Sequence, residues 1–138
     1  MVKLIVATHE RLAEGFKKTL DYIAPNVKDL ITISAYIDNE PIGELIKNKI
    51  NNIDKDEQII ILTDLVGGSV NQECAKLLGE YKIKLISGVN FPLLLSIALC
   101  EKRQVTDEMI RNLIVEAKEQ IVFVNDMLKN NICDLEDE

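Results

Sequence analysis

Short apolar runs alternate with amphipathic stretches along most of the chain. Val2–Thr8 is mostly apolar and rich in β-branched residues, and so is Ile59–Thr63. Such runs are typical of strands that are buried on both faces of a parallel sheet. The pattern predicts four strands in all: Val2–Thr8, Asp29–Ile37, Ile59–Thr63 and Tyr81–Ile86.

Helical spacing fills the segments between these strands. Leu12, Phe16 and Leu20 recur every four residues, which places them on one face of a helix. Further helices are predicted over residues 42–50, 73–78 and 91–99 and after Thr106, with start or stop signals at Asn39, Pro41, Gly79 and Thr106. The alternation predicts an α/β fold: a doubly wound, mainly parallel sheet of four strands with helices on both faces.

The C-terminal part of the chain leaves two interpretations open. Ile121–Val124 is rich enough in β-branched and aromatic residues to form a short fifth strand, and it could equally extend the preceding helix. Asp134–Glu138 is strongly acidic and is expected to be a frayed, solvated end. We therefore expect a single domain over residues 1–130 and an acidic tail over residues 131–138.

Composition narrows the class of protein. A chain of 138 residues with a net charge of −7 and no apolar run of roughly 18 to 20 residues is expected to be a soluble, cytoplasmic domain. The negative charge argues against nucleic acid or an anionic membrane as partner and suits a basic partner protein. The three cysteines are widely spaced, and Cys74 and Cys100 fall in apolar helical stretches that suit reduced core thiols. Without a CxxC or HxxxH pair we expect neither a metal nor another cofactor.

Polar and small residues follow three of the predicted strands. His9, the only histidine, follows the first strand; Asp64 and Gly67-Gly68-Ser69 follow the third; and Ser87–Asn90 follows the fourth. The carboxyl ends of parallel strands meet at one edge of a sheet, where ligands bind in open α/β folds. If the first strand lies beside the third, His9 and Asp64 face each other across that edge.

This pairing has a chemical use. A carboxylate that accepts a hydrogen bond from one imidazole nitrogen sets the tautomer and leaves the other nitrogen free as a nucleophile. Gly67-Gly68-Ser69 at a helix start offers amide and hydroxyl donors that suit a phosphoryl group. Simpler interpretations stay open: His9 as an ordinary surface residue, Asp64 as a helix cap, the glycines as a turn, and Asn90 as a turn or capping residue.

Three turns carry a resemblance to a known family. They are Ala7–Glu10 with Leu12, Ala13 and Gly15; Asp64–Ser69 with Val70–Gln72; and Gly88–Leu93. In order and spacing they resemble the signature turns of the enzyme IIA domain of the mannose class (mannose, fructose and sorbose) of the phosphoenolpyruvate-dependent sugar phosphotransferase system. Many members carry glycine where Glu10 stands and proline where Val70 stands.

The resemblance implies a phosphotransferase component. Such a phosphocarrier accepts a phosphoryl group from phosphorylated HPr on a histidine and passes it to enzyme IIB, which serves sugar uptake through the membrane subunits IIC and IID. By position, His9 would be the phosphorylated nucleophile and Asp64 the residue that orients it. The candidate phosphoryl-binding residues are Thr8, Gly67, Gly68, Ser69 and Asn90. The family also implies a homodimer that exchanges a last strand, for which Ile121–Val124 is the candidate.

Three other functions compete with this hypothesis. The phosphotransferase subunit of dihydroxyacetone kinase uses a similar histidine domain. A receiver-like signalling domain would be phosphorylated on Asp64 with magnesium, but it needs an acidic pair where Thr8 and His9 stand. A nucleotide- or flavin-binding domain would need a glycine-rich fingerprint after the first strand, which this chain lacks.

Overall fold

Four strands and six helices make up the described chain. The computed structural model describes residues 2–27, 30–100 and 104–136. In chain order the elements are β1 (Val2–His9), α1 (Leu12–Ile23), β2 (Ile31–Ala35), α2 (Ile42–Ile50), β3 (Gln58–Thr63), α3 (Ser69–Ala75), β4 (Ile83–Ser87), α4 (Phe91–Ala98), α5 (Asp107–Glu119) and α6 (Val124–Glu136).

The four strands form one sheet in the order β2-β1-β3-β4, and every neighbouring pair is parallel. The chain order reverses at β1, which lies between β2 and β3. This is the arrangement of a doubly wound α/β fold, so the predicted fold class is confirmed. In the β1–β3 register Ala7 is opposite Thr63, which brings the residues that follow them to the same edge of the sheet.

The core lies on both faces of the sheet. All six residues of β3 are buried, and alternate side chains of a strand point to opposite faces. Ile61 belongs to the cluster that α2 and α3 cover, together with Ile46 and Val70. Leu62 belongs to the other cluster, which includes Leu94 of α4 and residues of α1 and α5. Both faces are therefore sealed, and the strand ends remain as the place for a site.

Several boundaries differ from the predictions. The backbone of α2 starts at Ile42 with Pro41 as its N-cap, so the prediction of Asn39 as the cap is wrong. Asn39 lies two residues before the cap, and Pro41 suits a helix entry because it has no N–H to satisfy. The helix predicted to end at Gly79 ends at Ala75, and turns follow it. The predicted start of the second strand at Asp29 lies outside the described residues.

The predicted cap of α5 is confirmed. The Thr106 hydroxyl accepts a hydrogen bond from the Met109 N–H at the start of α5, and Asp107 and Glu108 occupy the first turn of that helix. This satisfies a backbone donor that has no partner inside the helix. The sequence also predicts a loop over residues 101–105, of which residues 101–103 lie outside the described chain.

The segment after α5 follows neither interpretation within this single chain. Helix α5 ends at Glu119, and residues 121–123 have no regular structure. Val124 begins α6, which runs to Glu136, so residue 130, the expected end of the domain, lies inside this helix. Residues 137 and 138 lie outside the described chain. An exchanged strand needs a second chain, so it stays a prediction.

Within the part of the chain that the structure describes, no helix combines the length and the apolar character needed to cross a membrane.

Candidate functional site

His9 and Asp64 meet at the edge of the sheet, where β1 and β3 end. Asp64 Oδ2 lies 3.0 Å from His9 Nδ1 and also accepts a hydrogen bond from the backbone N–H of His9, at 3.0 Å. The other carboxylate oxygen, Oδ1, accepts from the Leu65 N–H. The juxtaposition that the strand order predicted is therefore present, and the carboxylate is held by backbone donors as well as by the ring.

The charge of Asp64 decides the tautomer of His9. Burial opposes ionisation of Asp64, but the hydrogen bonds from the His9 N–H and ring and the attraction of His9 outweigh it, so the pKa of the carboxyl lies below its ordinary value. At neutral pH Asp64 is thus a carboxylate that can only accept hydrogen bonds. In the neutral imidazole of His9, Nδ1 must then carry the proton and Nε2 the lone pair.

His9 is accessible while its partner is covered. The side chain of His9 is 33% exposed and that of Asp64 is 11% exposed. Among the described residues, none forms a hydrogen bond with Nε2. The site therefore offers one basic nitrogen of an oriented imidazole to an incoming molecule.

The glycine turn approaches the imidazole closely. Gly67 has a φ of +76°, a conformation that suits glycine, and its carbonyl accepts from the Gln72 side chain. A Cβ on Gly68 would lie 3.3 Å from His9 Cε1, so the ring needs the space that glycine leaves. The Gly68 N–H donates a hydrogen bond to the Leu65 carbonyl within the turn, so in this structure it is not an unpaired donor.

Tyr36 is a site residue that sequence reasoning missed. Its ring stacks on the His9 ring with centroids 5.5 Å apart and an interplanar angle of 23°, and its hydroxyl is hydrogen-bonded to the Ser69 hydroxyl. Tyr36 follows β2, beside β1, and has a φ of +66°. The sequence predicted a strand at this position, and nothing in the residue types there indicates a left-handed backbone at Tyr36.

Thr8 and Asn90 hold the starts of two helices. Thr8 has no exposed surface, and its hydroxyl accepts from the Ala13 N–H in the first turn of α1. Asn90 is the N-cap of α4: its side chain accepts from the Leu93 N–H and donates to the Ala117 carbonyl, so both of its polar ends are engaged. Both side chains thus support the elements around the site in this chain, and contact of either with a phosphoryl group stays a prediction.

The two departures from the family pattern fit the local backbone. Glu10 is exposed with a φ of +52°, and its N–H donates to the Ala35 carbonyl. Glycine is the usual residue in this left-handed conformation, so the backbone turn is the one that glycine would make. Val70 is the second residue of α3 and is fully buried, a first-turn position that proline also tolerates.

An apolar rim, formed by Leu12, Leu65 and Val66, lies next to His9 and Asp64 along the chain. These three large apolar side chains are at least half exposed: Leu12 (50%), Leu65 (59%) and Val66 (82%). Contiguous exposed apolar groups on a polar protein mark a surface that another protein can cover. Across the described ranges of the chain, no group of three or more His, Cys, Asp or Glu side chains is arranged to hold a metal ion.

Fold and site together define an all-parallel α/β domain with an oriented histidine at the switch point of the sheet. The family model for the "PTS system fructose IIA component" matches residues 3–114. The chain belongs to this family of IIA components of the sugar phosphotransferase system, a family of phosphotransferases, and the resemblance seen in its three turns is confirmed.

Solved structures agree with this assignment. The chain is similar to a candidate phosphoenolpyruvate-dependent sugar phosphotransferase system permease from Klebsiella pneumoniae, with 26% identity, a TM-score of 0.80 and coverage of 92% of this chain and 93% of that one. It is also similar to component EIIA from Streptococcus agalactiae, with 26% identity, a TM-score of 0.78 and coverage of 91% and 99%. A mannose/sorbose-specific IIA subunit from Enterococcus faecalis shares the fold, with 19% identity, a TM-score of 0.76 and coverage of 88% and 92%.

Proposed function

We propose that the chain is a cytoplasmic phosphocarrier that accepts a phosphoryl group from phosphorylated HPr on His9 and passes it to enzyme IIB. The observation that carries this proposal is the contact between an ionised Asp64 and His9 Nδ1, at 3.0 Å. It leaves Nε2 as the nucleophile. The family membership supports the general role of the protein in the phosphotransferase system.

The phosphoryl transfer between the two imidazoles balances in atoms and electrons with the groups of the two proteins. The lone pair of His9 Nε2 attacks phosphorus while the bond between phosphorus and the donor's imidazole nitrogen breaks, and that nitrogen keeps the electron pair. Phosphorylated His9 is then an imidazolium whose Nδ1–H still donates to Asp64. The carboxylate therefore offsets the positive charge that develops on the ring, which makes positioning and electrostatics the main contributions of the protein.

Ser69 is the side-chain donor that we assign to the phosphoryl group. It begins α3, and its hydroxyl bonds to Tyr36, whose ring lies on His9. The exposed apolar rim of Leu12, Leu65 and Val66 would be covered by HPr and by enzyme IIB in turn. One rim serving two partners is consistent with a carrier, because only one of them can occupy it at a time.

We further propose that two copies of the chain associate through the segment after α5. Ile121, Val122, Phe123 and Val124 are 76%, 50%, 66% and 47% exposed, which is unusual for four consecutive apolar residues. Strand β4 is at the edge of the sheet, and a groove runs beside it, lined in part by Ile83–Ile86 and Ile110. The occupant of that edge in this proposal is the segment 121–124 of a second copy.

Labelling tests the phosphocarrier role. The chain is incubated with phosphoenolpyruvate, enzyme I and HPr, and the expected product is an acid-labile, base-stable phosphate that is lost in His9→Ala. Hydroxylamine-sensitive label on Asp64 would indicate a receiver domain instead. Label on His9 that reaches a dihydroxyacetone kinase subunit but no enzyme IIB would indicate the related kinase carrier.

Rate measurements test the role of Asp64. We expect Asp64→Asn to slow phosphorylation of His9 about 10- to 100-fold, because a charge-assisted hydrogen bond stabilises by about 1.5 to 3 kcal/mol. Asp21→Asn is the matched control and should leave the rate unchanged, because Asp21 lies at the far end of α1, where it pairs with Lys17. An unchanged rate in Asp64→Asn would remove the assigned role of the carboxylate.

A further inference from the structure

Tyr36 occupies a position that burial does not explain. It is an aromatic residue with a φ of +66°, and its side chain is 51% exposed. The left-handed conformation is costly for residues with a Cβ, and such outliers persist where the surroundings hold them in place. Since the ring gains little from burial, its contacts with the site are the interactions that hold it.

The first contact is with the imidazole. The hydrogen bond to Asp64 holds one edge of the His9 ring at Nδ1, but a single hydrogen bond leaves the ring free to tilt about that contact. Tyr36 covers one face of the ring, with centroids 5.5 Å apart and nearly parallel planes, and Gly68 lies close to Cε1. These contacts restrict the tilt and so fix the direction of the Nε2 lone pair.

The second contact is with Ser69. The Tyr36 and Ser69 hydroxyls are hydrogen-bonded to each other. A hydroxyl has one proton to donate, so Ser69 can donate to an incoming oxygen only if it accepts from Tyr36. Tyr36 thus lies between the nucleophile and the side-chain donor, and it links the end of β2 to the start of α3.

We propose that Tyr36 is a positioning residue that holds the His9 imidazole by stacking and directs the Ser69 hydroxyl toward the phosphoryl group by donating its own hydroxyl proton to Ser69. The phosphoryl part of this inference rests on the proposed function, whereas the ordering of the imidazole does not. Two substitutions separate the contributions: Tyr36→Phe keeps the stacked ring and removes the hydroxyl, and Tyr36→Leu removes both.

Nuclear magnetic resonance tests the ordering of the ring. Because the chain has one histidine, its ring signals are assigned without ambiguity. We expect the order parameters of the ring C–H bonds of His9 to fall in Tyr36→Leu and to stay unchanged in Tyr36→Phe. Tyr22→Leu is the matched control, because Tyr22 is 87% exposed near the C-terminal end of α1. Equal ring order in wild type and Tyr36→Leu overturns the proposal.

Kinetics with phosphorylated HPr test the relay. We expect kcat to fall about 2- to 10-fold in Tyr36→Phe, which loses the hydrogen bond to Ser69. We expect kcat to fall about 5- to 100-fold in Tyr36→Leu, which loses both this hydrogen bond and the stacked ring. KM should change little in either variant. If Tyr36 acts through Ser69, then Tyr36→Phe combined with Ser69→Ala should be no slower than Ser69→Ala alone. A rise in KM with unchanged kcat would mean that Tyr36 only lines the docking surface, and it overturns the proposal.

The two proposals fail separately. If phosphorylated HPr does not label wild-type His9, the proposed function is wrong, and the ring order of Tyr36→Leu still decides whether Tyr36 positions the imidazole. If wild-type His9 is labelled and Tyr36→Phe is as fast as wild type, the phosphocarrier role stands and the relay is wrong. Tyr36→Phe keeps the ring and is expected to fold, which circular dichroism checks.

Discussion

At the scale of single residues, the reactivity that we assign to His9 depends on atoms of another segment, the loop between β3 and α3. Asp64, after β3, determines which nitrogen carries the proton, and Gly68 leaves the space that the ring occupies. An exposed histidine without these neighbours would sample many ring orientations and both tautomers. The same side chain becomes a defined nucleophile because β1 and β3 are adjacent in the sheet.

The pKa of Asp64 leads to a pH dependence of stability. The pKa is lower in the folded chain than the ordinary value of 3.8 that applies to the unfolded chain. The stabilisation by this carboxylate is therefore complete above the unfolded value and is lost as the pH falls through the folded value. When the pH is raised from about 2.5 to about 5.5, we expect the free energy of unfolding of wild type to increase by about 1 to 2 kcal/mol more than that of Asp64→Asn. Urea unfolding followed by circular dichroism measures it, and a difference independent of pH would contradict the assignment.

Gly68 and Gly15 make opposite predictions for the same substitution. In Gly68→Ala the new Cβ would lie 3.3 Å from His9 Cε1 and 3.3 Å from the Leu65 carbonyl oxygen, so the ring or the turn must shift. We expect phosphorylation to slow about tenfold, because small misplacements of a reacting group are costly. Gly15→Ala has open space in α1 and should stabilise by about 0.5 to 1 kcal/mol with an unchanged rate. Equal phosphorylation rates in the two variants would show that the ring tolerates the shift.

Single residues of the site were predictable where they follow from topology. His9 and Asp64 end adjacent parallel strands, so their meeting was predicted from strand order. Tyr36 was not predicted, because its placement depends on a left-handed φ for which an aromatic side chain gives no signal. Thr8 and Asn90 were predicted to bind phosphoryl, but polar residues next to helix starts serve equally as caps, and only the hydrogen-bond partners separate the two uses.

At the scale of elements, the hydrophobic pattern predicted all four strands, with ends that differ by about two residues or fewer where both are described. The cause is physical: strands buried on both faces of a sheet are continuous apolar runs rich in β-branched residues. The start of α2 was misplaced because Asn39 and Pro41 are both start signals, and the contacts of the folded chain choose between them. The end of helix α3 was predicted too late because its apolar spacing continues into the turns after Ala75.

One pair of contacts between elements has no signature in the sequence. The buried side chain of Gln58, the first residue of β3, donates to the Val105 carbonyl at 2.8 Å and accepts from the Val105 N–H at 2.8 Å. The Gln58 amide thus takes the place of a backbone partner, and it connects Val105, which precedes α5, to the sheet. Without it, a buried N–H and a buried C=O would have no partner.

This arrangement predicts a large cost for a conservative substitution. We expect Gln58→Leu to lower the free energy of unfolding by about 2 to 4 kcal/mol, because two buried backbone groups lose their hydrogen bonds and each costs about 1 to 3 kcal/mol. The exposed Gln120→Ala should change stability by less than about 0.5 kcal/mol. Chemical denaturation of both variants compares them. A loss below about 1 kcal/mol in Gln58→Leu would mean that water replaces the amide.

At the scale of the whole molecule, the segment after α5 could not be predicted from one chain. The composition of residues 121–123 is that of a strand. A strand, however, needs a neighbouring strand with free backbone groups, and no strand of the described chain pairs with these residues. The exposure of these side chains is that of one chain without a partner. Whether they pair depends on a second molecule, which hydrophobic periodicity within one sequence does not encode.

A charged residue in this segment tests the proposed association. We expect the wild-type chain to sediment at twice its mass of 15.6 kDa and Phe123→Asp to sediment as a monomer, since burying an unpaired carboxylate costs several kcal/mol. Tyr22→Asp places the same charge at an equally exposed aromatic position of α1 and should stay dimeric.

Salt separates an apolar association from an electrostatic one. Each copy carries a net charge of −7, so two copies repel each other, and screening should tighten the dimer as the salt concentration rises from about 0.05 M to about 0.5 M. Encounter with a basic phosphoryl donor should slow over the same range, because attraction between opposite charges is screened. Analytical ultracentrifugation and the phosphorylation rate measure the two effects on one sample. A dimer that dissociates at high salt would show that ion pairs, and not the apolar residues 121–124, hold the two copies together.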